Sequence, residues 1–193
     1  FRRVLFRSIL LGIVVSFSEL AKRTVYPLLV SSQMVPKVAI APVFIIWFGT
    51  GLEAKVLISF LIAFFPIMVS TMVGLEAIEA DMVRLFRSMG AGPYRTFMKL
   101  RLPAALPNIF AGLKIGMSLA VVGAVVAEFV AADRGLGYYL LYANGQLDTP
   151  GVFGALLLLT VIGVILYYMV EGVERIFVPS SLSKDGDPTQ ASM

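Results

Sequence analysis

Apolar residues along this chain fall in long unbroken runs rather than in alternating or single-face patterns. Val56 to Leu75 is twenty residues without a charge, Pro150 to Val170 is twenty-one, and Ala104 to Ala127 is twenty-four with Lys114 alone. A spanning helix needs about 20 mostly apolar residues, so these runs predict spans over 56–75, 150–170 and 104–127. The stretch from Leu28 to Phe48 is interrupted by Pro36, Lys37 and Pro42. Its apolar part begins near Val38 and predicts a fourth span over about 38–50, with an irregular or interfacial front end. Ile9 to Ser18 is too short to cross and reads as the remnant of a cut span, 9–18. Pro66, Pro107 and Gly112, Gly116 and Gly123 fit these assignments, because Gly and Pro are frequent in membrane helices. Gly112, Gly116, Ala120 and Ala124 recur near helical spacing, which suits close helix packing in lipid.

The polar segments between runs differ in sign. Glu76 to Pro103 carries Arg84, Arg87, Arg95, Lys99 and Arg101, whereas Glu128 to Thr149 carries Arg134 alone. The bias of Lys and Arg towards the inner side makes the first segment cytoplasmic and the second external. Glu19 to Lys37, with Lys22 and Arg23, then falls on the cytoplasmic side, and the Gly49 to Lys55 turn falls outside. The tail beyond Val170 returns to the cytoplasm, and residues 180–193 read as disordered.

Composition agrees with the runs. Hydrophobic residues make up 59% of the chain, mean hydropathy is +0.90 and charged residues are 15%, against about 25% in soluble domains. Cys and His are absent. That removes thiol chemistry, the usual zinc ligands and every His-based catalytic arrangement. Phe1 to Ser8, FRRVLFRS, reads as the translated end of a sequencing adapter joined to a shortened gene. Without Arg2, Arg3 and Arg7 the sixteen basic residues fall to 13, against 12 acidic. The sequence pI of 9.5 is therefore no argument for a nucleic-acid partner.

Within the basic segment, Ile78, Met82, Leu85, Phe86 and Met89 recur at helical spacing, with Arg84 and Arg87 off that face. Gly90 ends the pattern as a helix C-terminal glycine does, and Pro93 forbids simple continuation. A second helical stretch follows through Tyr94, Phe97, Met98, Leu100 and Leu102, before Pro103 and Pro107. Two short helices are expected. They suit either a lipid-lying amphipathic element or a groove in a partner protein.

Gly90, nine residues, Leu100, one residue, then Leu102-Pro103 is similar to the signature loop of binding-protein-dependent importer permeases. MVPKVAIAPVFIIWFGTG upstream and AVVAEFVAADRGLGYYL downstream also resemble that family, closest to its sulfonate, taurine, nitrate and pyrimidine-precursor branch. The resemblance implies an all-α, polytopic transmembrane helix bundle of the ATP-binding cassette importer permease type, N-terminally truncated. It implies a membrane domain over 9–179 with a cytoplasmic coupling loop over 76–103. It further implies an ATPase contact made by Arg84, Arg87, Met89, Gly90, Ala91, Gly92, Leu100, Leu102 and Pro103. The family's Glu-Ala-Ala positions are Arg84, Leu85 and Phe86 here, so any ion pair made by that Glu is lost or reversed. The chain has no G-x-x-x-x-G-K-[ST] phosphate loop. This chain is thus expected to bind no cofactor and to be no enzyme, with ATP and Mg2+ held by a dimer of partner ATPase subunits. A periplasmic or external substrate-binding protein, a homodimer of permeases and a bacterial plasma-membrane location complete the implied assembly.

Glu128 ends a long apolar run. It is either an interfacial carboxylate facing water or headgroups, or part of an external gate with Arg134, Gly135 and Gly137. Gly135 and Gly137 suit a turn, Tyr138, Tyr139 and Trp47 suit an interfacial belt, and Lys114 is expected to snorkel towards the cytoplasmic face. The rival reading is a small secondary transporter or channel not driven by ATP. Such folds show internal repeats and midplane ionisable residues, and no repeat is visible here. An enzyme within the membrane would need clustered carboxylates in the spans, which are lacking.

Overall fold

A computed structural model describes residues 31 and 34–178 of the chain. The expectations for 1–8, for the remnant 9–18 and for the tail 180–193 lie outside the described residues. Every regular element among the described residues is helical. In chain order they are α1 (Lys37–Phe48), α2 (Leu52–Glu76), α3 (Ala80–Ser88), α4 (Pro93–Thr96), α5 (Leu102–Ala131), α6 (Leu136–Gly145) and α7 (Thr149–Phe177). A π turn, Phe97–Arg101, joins α4 to α5 without a break. The fold is an all-α, polytopic membrane bundle.

Among the described residues, three helical stretches are long and apolar enough to cross a bilayer: Leu52–Glu76, Pro93–Val130 and Thr149–Phe177. The fourth apolar helix, α1, has 12 residues, about 18 Å at 1.5 Å per residue, against a hydrocarbon core of about 30 Å. It hangs from the Gly49–Gly51 turn and stops well short of the opposite face. Below, the end that carries Arg84, Arg87 and Arg95 is the basic end, and the end at Gly49 and Gly135 is the far end.

The centre of the bundle is the antiparallel pair α2 and α5. Glycines set its spacing. A Cβ built on Gly112 would sit 2.5 Å from Ser70 Cβ, one on Gly116 2.5 Å from Ile67 Cγ1, and one on Gly123 2.6 Å from Ser59 Cα. Gly74 does the same from the other side, against Asn108 and the Ala105 carbonyl. The backbones approach so closely that side-chain hydroxyls must find partners on their own helix. Ser59 Oγ donates to the Lys55 carbonyl at 2.8 Å, and Thr71 Oγ1 donates to the Ile67 carbonyl at 2.7 Å. Small apolar clusters fill the seam: Ala63, Ile67 and Ala120 at mid-height, Leu75, Phe97, Ala105 and Ile109 towards the basic end. Ala41, Ile58 and Ala127 bring α1 against the pair.

By contrast α7 is almost wholly exposed, with Leu157, Tyr168 and Ile176 turned outwards. Such a helix is stable only where its surroundings are as apolar as itself, which is the condition lipid supplies. Its start is fixed by Asp148, whose Oδ1 accepts from the Gly151 amide at 3.1 Å, with Pro150 in the first turn.

Gly123→Val is expected to destabilise the folded protein by about 1–3 kcal/mol, because the obstacle is backbone and cannot swing away. Thermal unfolding in detergent reads this as a clear drop in midpoint. Gly163→Ala, where nothing lies within 4 Å of the new Cβ, should leave the midpoint in place.

Candidate functional site

The basic end is built from α3, a tight turn and α4. α3 closes in a Schellman arrangement: the Ala91 amide donates to the Phe86 carbonyl at 3.1 Å and the Gly90 amide to the Arg87 carbonyl at 3.0 Å. Gly90 has φ +78°, in the left-handed region, with open space where a Cβ would be. The glycine is therefore required by backbone conformation and not by crowding. Gly92 then starts α4, whose first residue is Pro93, and Thr96 Oγ1 donates back to the Gly92 carbonyl at 3.1 Å.

The expected apolar face of α3 is the one turned away from the bundle: Met82, Leu85 and Met89 point outwards, Met89 at 76% exposure, while Val83, outside that set, is buried against the protein. Tyr94 and Met98 continue the outward face, Tyr94 at 71%. Arg84 reaches Asp81 at 3.3 Å on the same open surface, where an ion pair contributes little to stability. Arg84, Arg87, Met89, Gly90 and Gly92 are thus all exposed at one tip, with Ala91 half-buried beside them.

Leu100, Leu102 and Pro103 are not at this tip. Leu100 lies in the π turn, and Leu102 packs on the Leu75, Phe97, Ala105 and Ile109 cluster. The second short helix anticipated from sequence is in fact the first turn of a helix that runs on into the membrane. Pro103 ends no helix because the π turn widens the chain before it: the Leu102 amide reaches back to the Phe97 carbonyl. A proline ring clashes less where the turn is wide, and Pro103 occupies the first turn of α5.

Among the described residues, two long-range ion pairs tie helices together. Lys114 on α5 meets Glu174 on α7 at 2.5 Å, both largely buried, with the Lys114 ammonium 5.4 Å from the Tyr167 ring centre. Lys114 is held inside the bundle by this partner and does not snorkel to the surface. At the far end, Lys55 on α2 lies 4.0 Å from Glu128 on α5. The Glu128 Oε2 also accepts from the Gly137 amide at 2.7 Å, in the first turn of α6. A carboxylate there meets the free amides and positive end of the helix.

The Glu128 carboxylate also explains both glycines. A Cβ on Gly135, where φ is +126°, would collide with it, and one on Gly137 would come within 2.9 Å of Glu128 Cβ. Arg134 is exposed, and the partners of Glu128 are Lys55 and the Gly137 amide. Lys55 and Glu128 sit on the rim of an apolar cavity of about 550 Å³ that Met117, Ala120, Leu159 and Ile162 also line. Among the described residues no three Asp or Glu side chains cluster as metal ligands.

Lys55 and Glu174 were not singled out by sequence reasoning. Their charges stand at the ends of apolar runs, but which carboxylate each lysine meets is a tertiary fact that one sequence does not carry.

A family model described as binding-protein-dependent transport system inner membrane component matches residues 8–180. The formylaminopyrimidine transport permease protein ThiX of Halalkalibacterium halodurans is 40% identical over 176 residues, 89% of this chain and 70% of that protein. The riboflavin transport system permease protein RibX of Chloroflexus aurantiacus is 41% identical over 79% of this chain and 57% of its own length. The putative aliphatic sulfonates transport permease protein SsuC of Bacillus subtilis is 32% identical over 86% of this chain and 60% of its own.

Glu128→Ala is expected to free α6: amide exchange across Leu136–Gly145 should rise roughly tenfold, as loss of one buried charge-assisted acceptor implies. Glu128→Gln keeps an acceptor for the Gly137 amide and should show a smaller rise. Hydrogen exchange with mass spectrometry checks both.

Proposed function

This chain belongs to the family of binding-protein-dependent transport system inner membrane components, the permease subunits of ATP-binding cassette importers, and on that premise we propose how its parts divide the work. It is a multi-pass inner-membrane transport component. In our reading the basic end faces the cytoplasm, and the α3–Gly90–α4 tip is the coupling element that docks on a separate ATPase dimer. The observation that carries this is the tip itself. Met82, Leu85 and Met89 are exposed along α3 and its cap, which is locked by its own backbone hydrogen bonds, and Tyr94 is exposed beside them on α4. A rigid helix with a bare apolar face and a basic rim fits a groove in a partner.

The direct continuation of α4 into α5 gives the tip a stem that reaches the far end of the bundle. Closure of the ATPase dimer would move the tip, and α5 with its partner α2 would carry that movement through the membrane as one body. ATP and Mg2+ are then handled wholly by the ATPase. A second permease copy completes the pathway in this reading, since symmetric pairs are the commonest assembly. α6 and its tyrosines at the far end would help receive the substrate-binding protein. Tyr138 and Tyr142 stack with ring centres 6.4 Å apart and stand half-exposed there.

Co-purification with a co-expressed ATPase subunit of this importer class tests the reading. The wild type is expected to retain the ATPase, and Met89→Glu to lose at least tenfold in association, because a charge replaces an apolar anchor. Gly90→Val, which cannot hold φ +78° without strain, should insert in the membrane normally but hydrolyse ATP without transport. A wild type that retains no ATPase would instead favour a lipid-lying helix and an ATP-independent transporter.

A further inference from the structure

The described lysines within the apolar part of the bundle are not all alike. Lys55 has Glu128 and Lys114 has Glu174. Lys37 has no carboxylate among the described residues; its ammonium lies 4.2 Å above the centre of the Phe65 ring. The helix levels fix its depth. Phe65 is thirteen residues along α2 from Leu52, about 20 Å at 1.5 Å per residue. Lys55 lies ten residues nearer the far end, about 15 Å away on the same scale. Lys114 is level with the α2 segment between Ile67 and Ser70, as the contacts of Gly116 and Gly112 show. Lys37 therefore stands between the two ion pairs in height. It is level with the middle of α2 and not with its basic end, where the sequence had suggested it.

A second observation concerns the backbone beside it. The Met34 amide donates to the Ser31 carbonyl at 3.1 Å, and the described backbone from Met34 through Pro36 is irregular. Met34 and Val35 are exposed, Met34 at 82%. Irregular backbone at membrane depth is tolerated only where it is covered by protein or lines a water-filled cavity. An unneutralised charge at the same depth costs about 2.5–3.5 kcal/mol on insertion scales unless it has a partner or water. Both features are satisfied together if this side of α1 faces an aqueous path.

We propose that Lys37, with the face of Phe65 behind it, is an anion-recognition point in the translocation pathway, receiving a carboxylate, sulfonate or phosphate group of the transported solute. This rests on the permease reading above and adds to it a chemical class of solute. Lys37 offers three donors on a flexible stem. Phe65 limits its withdrawal by holding the ammonium over an apolar ring. A single cation suits transport, because it draws an anion in without binding it so well that release fails.

The chain contains no cysteine, so Met34→Cys supplies one thiol beside the site in an otherwise unreactive protein. Its labelling is measured in full-length protein in phosphatidylcholine vesicles with two water-soluble reagents. One is anionic sulfonatoethyl methanethiosulfonate, the other cationic trimethylammonioethyl methanethiosulfonate. With Lys37 present, the anionic-to-cationic rate ratio is expected to be roughly three- to tenfold higher than in Met34→Cys/Lys37→Gln, as one nearby charge dictates. A ratio unmoved by Lys37→Gln overturns the proposal, as does a thiol that neither reagent reaches. Added phosphatidylglycerol separates the sources of the anion. A ratio that survives it supports a solute site, and one that collapses assigns Lys37 to a lipid headgroup and overturns it. ATPase co-purification of Lys37→Gln, measured in parallel, reports on the coupling tip alone, so failure of that reading is distinguishable from failure of this one.

Discussion

The close approach of α2 and α5 is the contact on which the other elements depend. In lipid there is no difference in water exposure to draw two apolar helices together, so association rests on van der Waals fit. Gly74, Gly112, Gly116 and Gly123 supply that fit by letting one backbone lie against the other. The pair carries α1 through the Ala41, Ile58 and Ala127 cluster. It carries α7 through Lys114 and Glu174, and α6 through Glu128. At the basic end Phe97 and Leu102 pack on Leu75, so the stem of the coupling tip is seated on the same pair.

The charges inside the bundle follow one rule with one departure. A buried ion pair repays its desolvation only with good geometry and further hydrogen bonds. Lys114 and Glu174 have short contact and an aromatic neighbour; Glu128 has Lys55 and a backbone amide. These pairs join sequence-distant helices and so fix which faces meet. Lys37 joins nothing of that kind among the described residues. A charge that does no visible structural work at such depth is where function is to be looked for.

Much of this was legible in the chain. The spans stand out because lipid demands unbroken apolar length, and α2, α5 and α7 follow the runs 56–75, 104–127 and 150–170 closely. The turn at Gly90 was legible because glycine at the end of an amphipathic pattern has few other uses, and its positive φ bears that out. The continuation of α4 into α5 was not. Pro103 read as the boundary between a short helix and the span, and the π turn, which has no sequence signature of its own, lets the helix pass it. Which side of α3 the bundle covers was equally hidden, since periodicity picks out Met82, Leu85 and Met89 as one face, whereas the bundle buries Val83 and leaves that face open. Height misled at Lys37: proline and charge suggested the basic end, but its ammonium lies over Phe65, midway along α2.

The π turn at Phe97–Arg101 gives the spacing between Gly90 and Leu102-Pro103 a meaning beyond distance. Each residue of an α-helix advances the azimuth by about 100°, and a π turn holds one residue more than an α turn over nearly the same height. A residue removed from the regular α-helical part of the stem would lower the tip by about 1.5 Å and swing Met89 and Tyr94 through roughly a quarter-turn about the helix axis. One removed from the π turn would leave height and heading nearly unchanged, because the turn would close to an ordinary α turn. The π turn is therefore a store of slack: related chains could lose a residue there while the tip keeps the heading at which it meets its partner.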